Sequence, residues 1–181
     1  MKKYLLFPLL LTLISCAPKA KISVAEHQCP KPVEVSSGQF DKLKTLVGTW
    51  QGKHKGEKGM EDVKVEYQLT SGGSTLVEKL FPGTPHEMVS IYTPTKTATG
   101  STVTMTHYCM LGNQPRMQLK TSDAKTMFFD FVDGANIASS KDAHMHSLKI
   151  KLTDHKHLTQ EWSFYNAGKK IKTEVFHFVR T

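Results

Sequence analysis

Phe40-Asp41-Lys42-Leu43-Lys44-Thr45-Leu46-Val47-Gly48-Thr49-Trp50 is the stretch on which the fold turns. Phe40, Leu43, Leu46 and Val47 recur at helical spacing, Ser36 or Ser37 stands where an N-cap belongs, and Gly48 lies just past the end. The spacing predicts a short amphipathic helix. After Trp50 the apolar period drops to two, and no second helical pattern of useful length follows.

Ten strands are predicted downstream, beginning near Thr49, Asp62, Ser74, Glu87, Thr102, Arg116, Lys125, His144, His157 and Lys170. Turn signals separate them: Gly72-Gly73, Pro82-Gly83, Gly112-Asn113, Ser122-Asp123, Asp133-Gly134, Asp154-His155 and Asn166-Ala167-Gly168. Short strands joined by hairpin-sized turns make an antiparallel meander. Closing the meander removes its exposed edges. The expected class is therefore all-β, an up-and-down barrel of about ten strands with a short N-terminal helix, and an open sandwich is the main alternative.

Two resemblances sharpen this. Gly48-Thr49-Trp50 after a short helix resembles the start of the calycin barrels, which include lipocalins, fatty-acid-binding proteins and haem-binding barrels of the nitrobindin type. In lipocalins that tryptophan closes the barrel base, and ten strands suit the fatty-acid-binding and nitrobindin-like members. Thr106-His107-Tyr108-Cys109-Met110-Leu111-Gly112-Asn113-Gln114-Pro115-Arg116-Met117 resembles the signature of a family of uncharacterised bacterial secreted proteins with lipocalin-like folds. Leu46-Val47-Gly48-Thr49-Trp50, Leu76-Val77-Glu78 and His144-Met145-His146 are similar to that family as well. The resemblance implies a barrel and leaves its chemistry open.

Upstream, Met1-Lys2-Lys3 is a cationic start and Tyr4 to Ile14 an apolar run too short to span a bilayer, which needs about 20 residues. Leu13-Ile14-Ser15-Cys16 resembles the lipobox of bacterial lipoproteins, which implies cleavage before Cys16 and acylation of that cysteine. Residues 1–15 are thus expected as signal peptide, 16–39 as the lipidated cysteine and a flexible tether, and 40–181 as the barrel domain. The tether carries Pro18, Pro30 and Pro32 with scattered lysines, and its composition cannot bury enough apolar surface to order itself. Its reach by random-coil scaling is about 25 Å. Cys29 lies within it, and a free thiol, a bridge to Cys109 and a bond to another chain all remain open. Residue 17 is alanine rather than the aspartate that resembles an inner-membrane retention signal. In a Gram-negative cell the expected address is therefore the outer membrane, facing the periplasm.

The chain of 181 residues has 24 Lys and Arg and a net charge of +8, yet only Arg116 and Arg180 are arginines. Nucleic-acid binders cluster their basic residues and favour arginine at base contacts. These lysines are scattered, which argues against a nucleic-acid partner and for a solvated surface with weak attraction to anionic lipid.

Side-chain alternation sorts residues between core and solvent. Val103, Met105, His107 and Cys109 share the more apolar face of their strand. His144, His146, Leu148, Ile150 and Leu152 lie opposite Lys149 and Lys151, which predicts both histidines inside. Lys79 in solvent turns Glu78 inward. In the last strand Lys172 and Glu174 favour one phase, and Phe176 and Phe178 the other.

The expected site therefore contains Glu78, His107, Cys109, His144 and His146, with Arg116 at the barrel mouth as an anchor for a carboxylate or phosphate, or paired with an acid. His-x-His and His-x-Cys on strands set two donors on one face about 6 to 7 Å apart. His107, Cys109, His144 and His146 are therefore candidate ligands for zinc, copper or iron, and haem would need one histidine. The alternative for these groups is mutual hydrogen bonding in a satisfied core. A second reading is a small hydrophobic molecule in a cavity lined by Met105, Met117, Met127, Phe129, Phe131 and Trp162, which otherwise simply fill the core. A third is an enzyme using His107, Cys109 and Glu78, although no Gly-x-Ser-x-Gly, His-Glu-x-x-His or phosphate-cradling loop is present. A structural envelope protein without ligand completes the set.

Overall fold

Helix α1 (Gly38–Lys44) is the first element of the computed structural model, which describes residues 38–56 and 59–181. Phe40 and Leu43 are its buried face, and the chain continues through single-turn bonds at Thr45, Leu46 and Val47 rather than further helix. The serines expected as its cap lie outside the described residues, as do Cys16, Cys29 and the expected signal peptide.

Ten antiparallel strands follow, each beginning within three residues of its expected start: β1 (Gly48–Gly56), β2 (Gly59–Thr70), β3 (Thr75–Leu80), β4 (Met88–Thr97), β5 (Gly100–Tyr108), β6 (Gln114–Ser122), β7 (Thr126–Ala135), β8 (His144–Leu152), β9 (His157–Asn166) and β10 (Lys169–Arg180). Each pairs with its sequence neighbours, and β10 returns to β1, so the sheet is a closed barrel rather than an open sandwich. The seam is short, from Trp50 opposite Arg180 to Lys53 opposite His177. Glycine is required there: a Cβ on Gly52 would fall 1.9 Å from the carbonyl oxygen of His177.

One end of the barrel is sealed. Trp50 is fully buried and donates its Nε1–H to the carbonyl of Leu46, 2.8 Å away. The Arg180 guanidinium lies 4.0 Å from the Trp50 ring and bonds the carbonyls of Thr45 (2.6 Å), Val47 (2.7 Å) and His155 (2.9 Å). Gly48, at φ +127°, leaves room for that guanidinium, which a Cβ would approach to 3.1 Å. Lys42 bonds the carbonyls of Asp123 and Thr126, which ties α1 to the β6–β7 turn. Above this plug Leu46, Val65, Leu76, Met105, Met117, Met127, Phe129, Leu148 and Ile150 form the core.

One alternation pattern differs from expectation, in β8, and the phase left open in β10 is decided. In β8 the pairing steps from Met145–Phe164 to Ser147–Ser163, a bulge at His146 that puts two residues opposite one. The bulge reverses the phase, so His144 and His146 leave the inner face on which Leu148 and Ile150 stand. In β10 Phe176 and Phe178 are buried while Val175, His177 and Val179 are exposed. Lys172 and Glu174 share the inner phase because they lie near the open end, where the inner face reaches water.

Replacing Arg180 by alanine removes three carbonyl bonds and the ring contact at once. We expect a loss of about 2–3 kcal/mol in urea unfolding. Arg180→Lys should recover less than half of it, because one ammonium cannot cover three carbonyls and a ring face.

Candidate functional site

The strand alternation that fills the sealed end with large apolar groups leaves space at the other. A cavity of about 650 Å³ opens there, between the β1–β2 and β9–β10 hairpins and the loops that follow β3 and β5. Its wall is mainly apolar, with Val63, Phe81, Met88, Met145, Phe164 and Phe176. Polar groups on the wall include His54 and Glu174, 3.5 Å apart. His107 and Trp162 also border it, their rings 4.5 Å apart.

Beneath that floor lies a polar cluster. Glu78 is fully buried on β3, and its Oε2 accepts from Tyr92 (2.8 Å) and from Nε2 of Gln160 (3.0 Å). Tyr67 also bonds this carboxyl. Ser90 Oγ is 3.4 Å from Glu78 Oε1 and 3.0 Å from His107 Nδ1. Gln160 is held in one orientation: its Oε1 accepts from Trp162 Nε1, and its Nε2 donates to Tyr67 as well as Glu78. Burial raises the Glu78 carboxyl from its ordinary 4.5 to about 7, outweighing the bonds that favour its charge. Burial, with the Glu78 charge adding to it, also pushes the Tyr67 and Tyr92 hydroxyls well up.

His107 has a different deficit. Its Nδ1 faces Ser90, but its Nε2 is buried, with less than 1 Å² accessible, and has no hydrogen-bond partner. Burial lowers this imidazole to about 4, so it is neutral at physiological pH. An unmet buried nitrogen costs about 1–3 kcal/mol. Cys109 lies on the same wall, half-buried, and burial raises its thiol, which disfavours thiolate.

The remaining expected residues are elsewhere. His144 and His146 form a pair outside the cavity: Nε2 of His144 meets Nδ1 of His146 at 2.9 Å, His146 stacks on Tyr165 at 3.8 Å, and its Nε2 lies 3.6 Å from Asp130. The proposed four-residue metal set is therefore not assembled, and among the described residues no three His, Cys, Asp or Glu side chains group to hold an ion. Haem fits no better at His107, since its iron would set a flat macrocycle across a nitrogen that the surrounding side chains enclose. Arg116 is exposed and bound through two nitrogens to Asp133, its direct cross-strand neighbour, so it does not anchor a cavity ligand. Of the expected apolar lining only Trp162 borders the cavity. Met105, Met117, Met127 and Phe129 are buried in the core, and Phe131 packs on His144 and His146.

Sequence reading missed Tyr67, Ser90, Tyr92 and Gln160. Pairing register brings the row together, with Tyr67 opposite Glu78, Glu78 opposite Ser90 and Ser90 opposite His107, and alternation in the sequence does not carry it.

The two buried groups predict opposite pH slopes. Folded Glu78 binds more protons than the unfolded chain between about pH 4.5 and 7, so it costs stability increasingly as pH rises through that window. Folded His107 binds fewer between about 4 and 6.5, so its stability is present above that window and lost as pH falls through it. Glu78→Gln should therefore gain on the wild type, on the order of 2–3 kcal/mol, between about pH 5 and pH 8 in chemical unfolding. Parallel profiles would contradict the raised carboxyl.

Among solved structures, "Crystal Structure of Rv2717c from M. tuberculosis" aligns over 80% of this chain and 98% of that one, with a TM-score of 0.53 and 12% sequence identity. At that identity the likeness supports the barrel fold. No protein-family model and no curated protein matches the chain.

Proposed function

We propose that this protein binds a small, largely apolar molecule with one polar group, and that the barrel cavity is its seat. The observation that carries the reading is the unpartnered Nε2 of buried His107 beside an apolar cavity of about 650 Å³. That volume is typical of small-molecule sites, which pair apolar walls with a few placed polar groups. Binding supplies the hydrogen bond that His107 lacks, once a neighbouring side chain shifts enough to admit the ligand atom. Catalysis has less support: the Cys109 thiol is held protonated, and His107 bonds Ser90 rather than a nucleophile poised at the cavity.

The expected anchor belongs to this reading. Two or three acyl chains on Cys16 hold a protein on a membrane where one would not, and the tether expected between Cys16 and α1 would give the barrel its reach from the surface. The sequence at Leu13-Ile14-Ser15-Cys16 supports this placement in the cell envelope, at the outer membrane in a Gram-negative cell.

Anilinonaphthalene sulfonate tests the cavity. It should bind with energy transfer from Trp162, and filling the space by Met145→Trp should weaken binding at least tenfold. Trp50→Phe should retain the transfer and Trp162→Phe should lose most of it. Binding unaffected by Met145→Trp would place the probe elsewhere.

Labelled palmitate tests the anchor. The wild type should incorporate it and sediment with membranes, and Cys16→Ser should do neither. A Cys16→Ser protein that still carries label would refute acylation at this residue.

A further inference from the structure

Tyr67, Glu78, Ser90 and His107 stand in one lateral row across β2, β3, β4 and β5, each directly opposite the next. Such neighbours have Cβ atoms about 4.5–5.5 Å apart, close enough for short polar side chains to touch. Ser90 is the joint of the row, with Glu78 Oε1 on one side and His107 Nδ1 on the other.

The hydroxyl of Ser90 has one proton, and its direction is set by Glu78. An ionised carboxylate only accepts, so Ser90 donates to it and takes the Nδ1–H of His107 on its own oxygen. A neutral imidazole carries one N–H, which leaves a lone pair on Nε2. When Glu78 is protonated, its Oε2 already faces the donors of Tyr92 and Gln160, so the proton belongs on Oε1. Ser90 accepts it there and turns its own proton to Nδ1, and Nε2 becomes the N–H.

We propose that Glu78 acts through Ser90 as a positioning residue that selects the polar group the cavity accepts at His107. With Glu78 ionised the ligand presents a hydrogen-bond donor, a hydroxyl or N–H. With Glu78 neutral it presents an acceptor, a carbonyl or an oxyanion. The interconversion balances: one proton enters at Nε2, the Nδ1 proton passes to Ser90 Oγ, and the Ser90 proton passes to Glu78 Oε1. The imidazole is neutral before and after, and the carboxylate is neutralised. This inference rests on the cavity as the ligand seat.

The surroundings suit the switch. Tyr67, Tyr92 and Gln160 bond the carboxyl, while Trp162 covers the His107 ring and steadies Gln160. Cys109, His54, His86, Glu61, Asp62, Lys172 and Glu174 are the other titratable groups on the cavity wall. The carboxyl titrates near about 7 while the ring stays neutral down to about 4, so the two tautomers exchange without an imidazolium.

Nitrogen NMR of the imidazole-labelled full chain, without ligand, tests this between about pH 5.5 and 8.5. The wild type should show His107 with Nδ1–H at the alkaline end and Nε2–H at the acid end. Glu78→Gln should show Nε2–H throughout, because its amide oxygen stays facing Tyr92 and Gln160 and its NH₂ faces Ser90. Ser90→Ala should abolish the pH step while Glu78 remains, and it decides alone if Glu78→Gln does not fold. A single tautomer across the range in the wild type, or an unchanged step in Ser90→Ala, would overturn the proposal. Since no ligand is present, failure of the dye to bind the cavity is a separate result.

Discussion

The contact on which the barrel depends is the one Arg180 makes at its sealed end. A closed sheet must bring its last strand to its first, and here the seam joins only Trp50–Lys53 to His177–Arg180. Arg180 reinforces it from the final turn of β10 by gathering carbonyls from the α1–β1 connection and the β8–β9 turn while covering Trp50. Five exposed N–H donors in a planar fork suit that task better than any other side chain. Because helix, tryptophan and seam are fixed together, the interior has one closed end. The cavity can then open only at the other.

The polar row is the second constraint, and its energetics run against folding. Burying a carboxyl, two phenols, a hydroxyl, an amide and an imidazole is tolerated only where their hydrogen bonds close on one another. Around Glu78 they do close, through Tyr67, Tyr92, Ser90 and Gln160. The network ends at His107, where one nitrogen is left over. Local stability is thus given up at one buried atom of a residue that borders the cavity.

Much of this was legible in the residues. The change from helical to alternating period at Gly48-Thr49-Trp50 located the plug, and the turn residues located the ten strands. Glu78 was readable because Lys79 beside it must reach water, and His107 because Val103 and Met105 share its phase. The partners were not readable, because alternation gives the face of a strand but not its register against the next. His144 and His146 were misplaced for a related reason: one extra residue at a bulge inverts the phase, and nothing in His144-Met145-His146-Ser147 announces it. Lys149 and Lys151 fix the face only from Ser147 onward.

Those two histidines also show why residue type alone does not mark a site. The backbone oxygen of Asp142 lies 2.6 Å from His144 Nδ1 and can only accept, so Nδ1 carries the proton. His144 Nε2 must then accept from His146 Nδ1, which leaves the other nitrogen of His146 as an acceptor on a side chain that still reaches solvent. Every nitrogen of the pair has a protein neighbour, and Tyr165 and Phe131 pack against the rings. Such a cluster, whose last open nitrogen reaches water, needs no ligand and holds the β7–β8–β9 surface together. His107 has the same side chain and half the partners. The difference between them is unmet hydrogen-bonding capacity, which is what a bound molecule can supply.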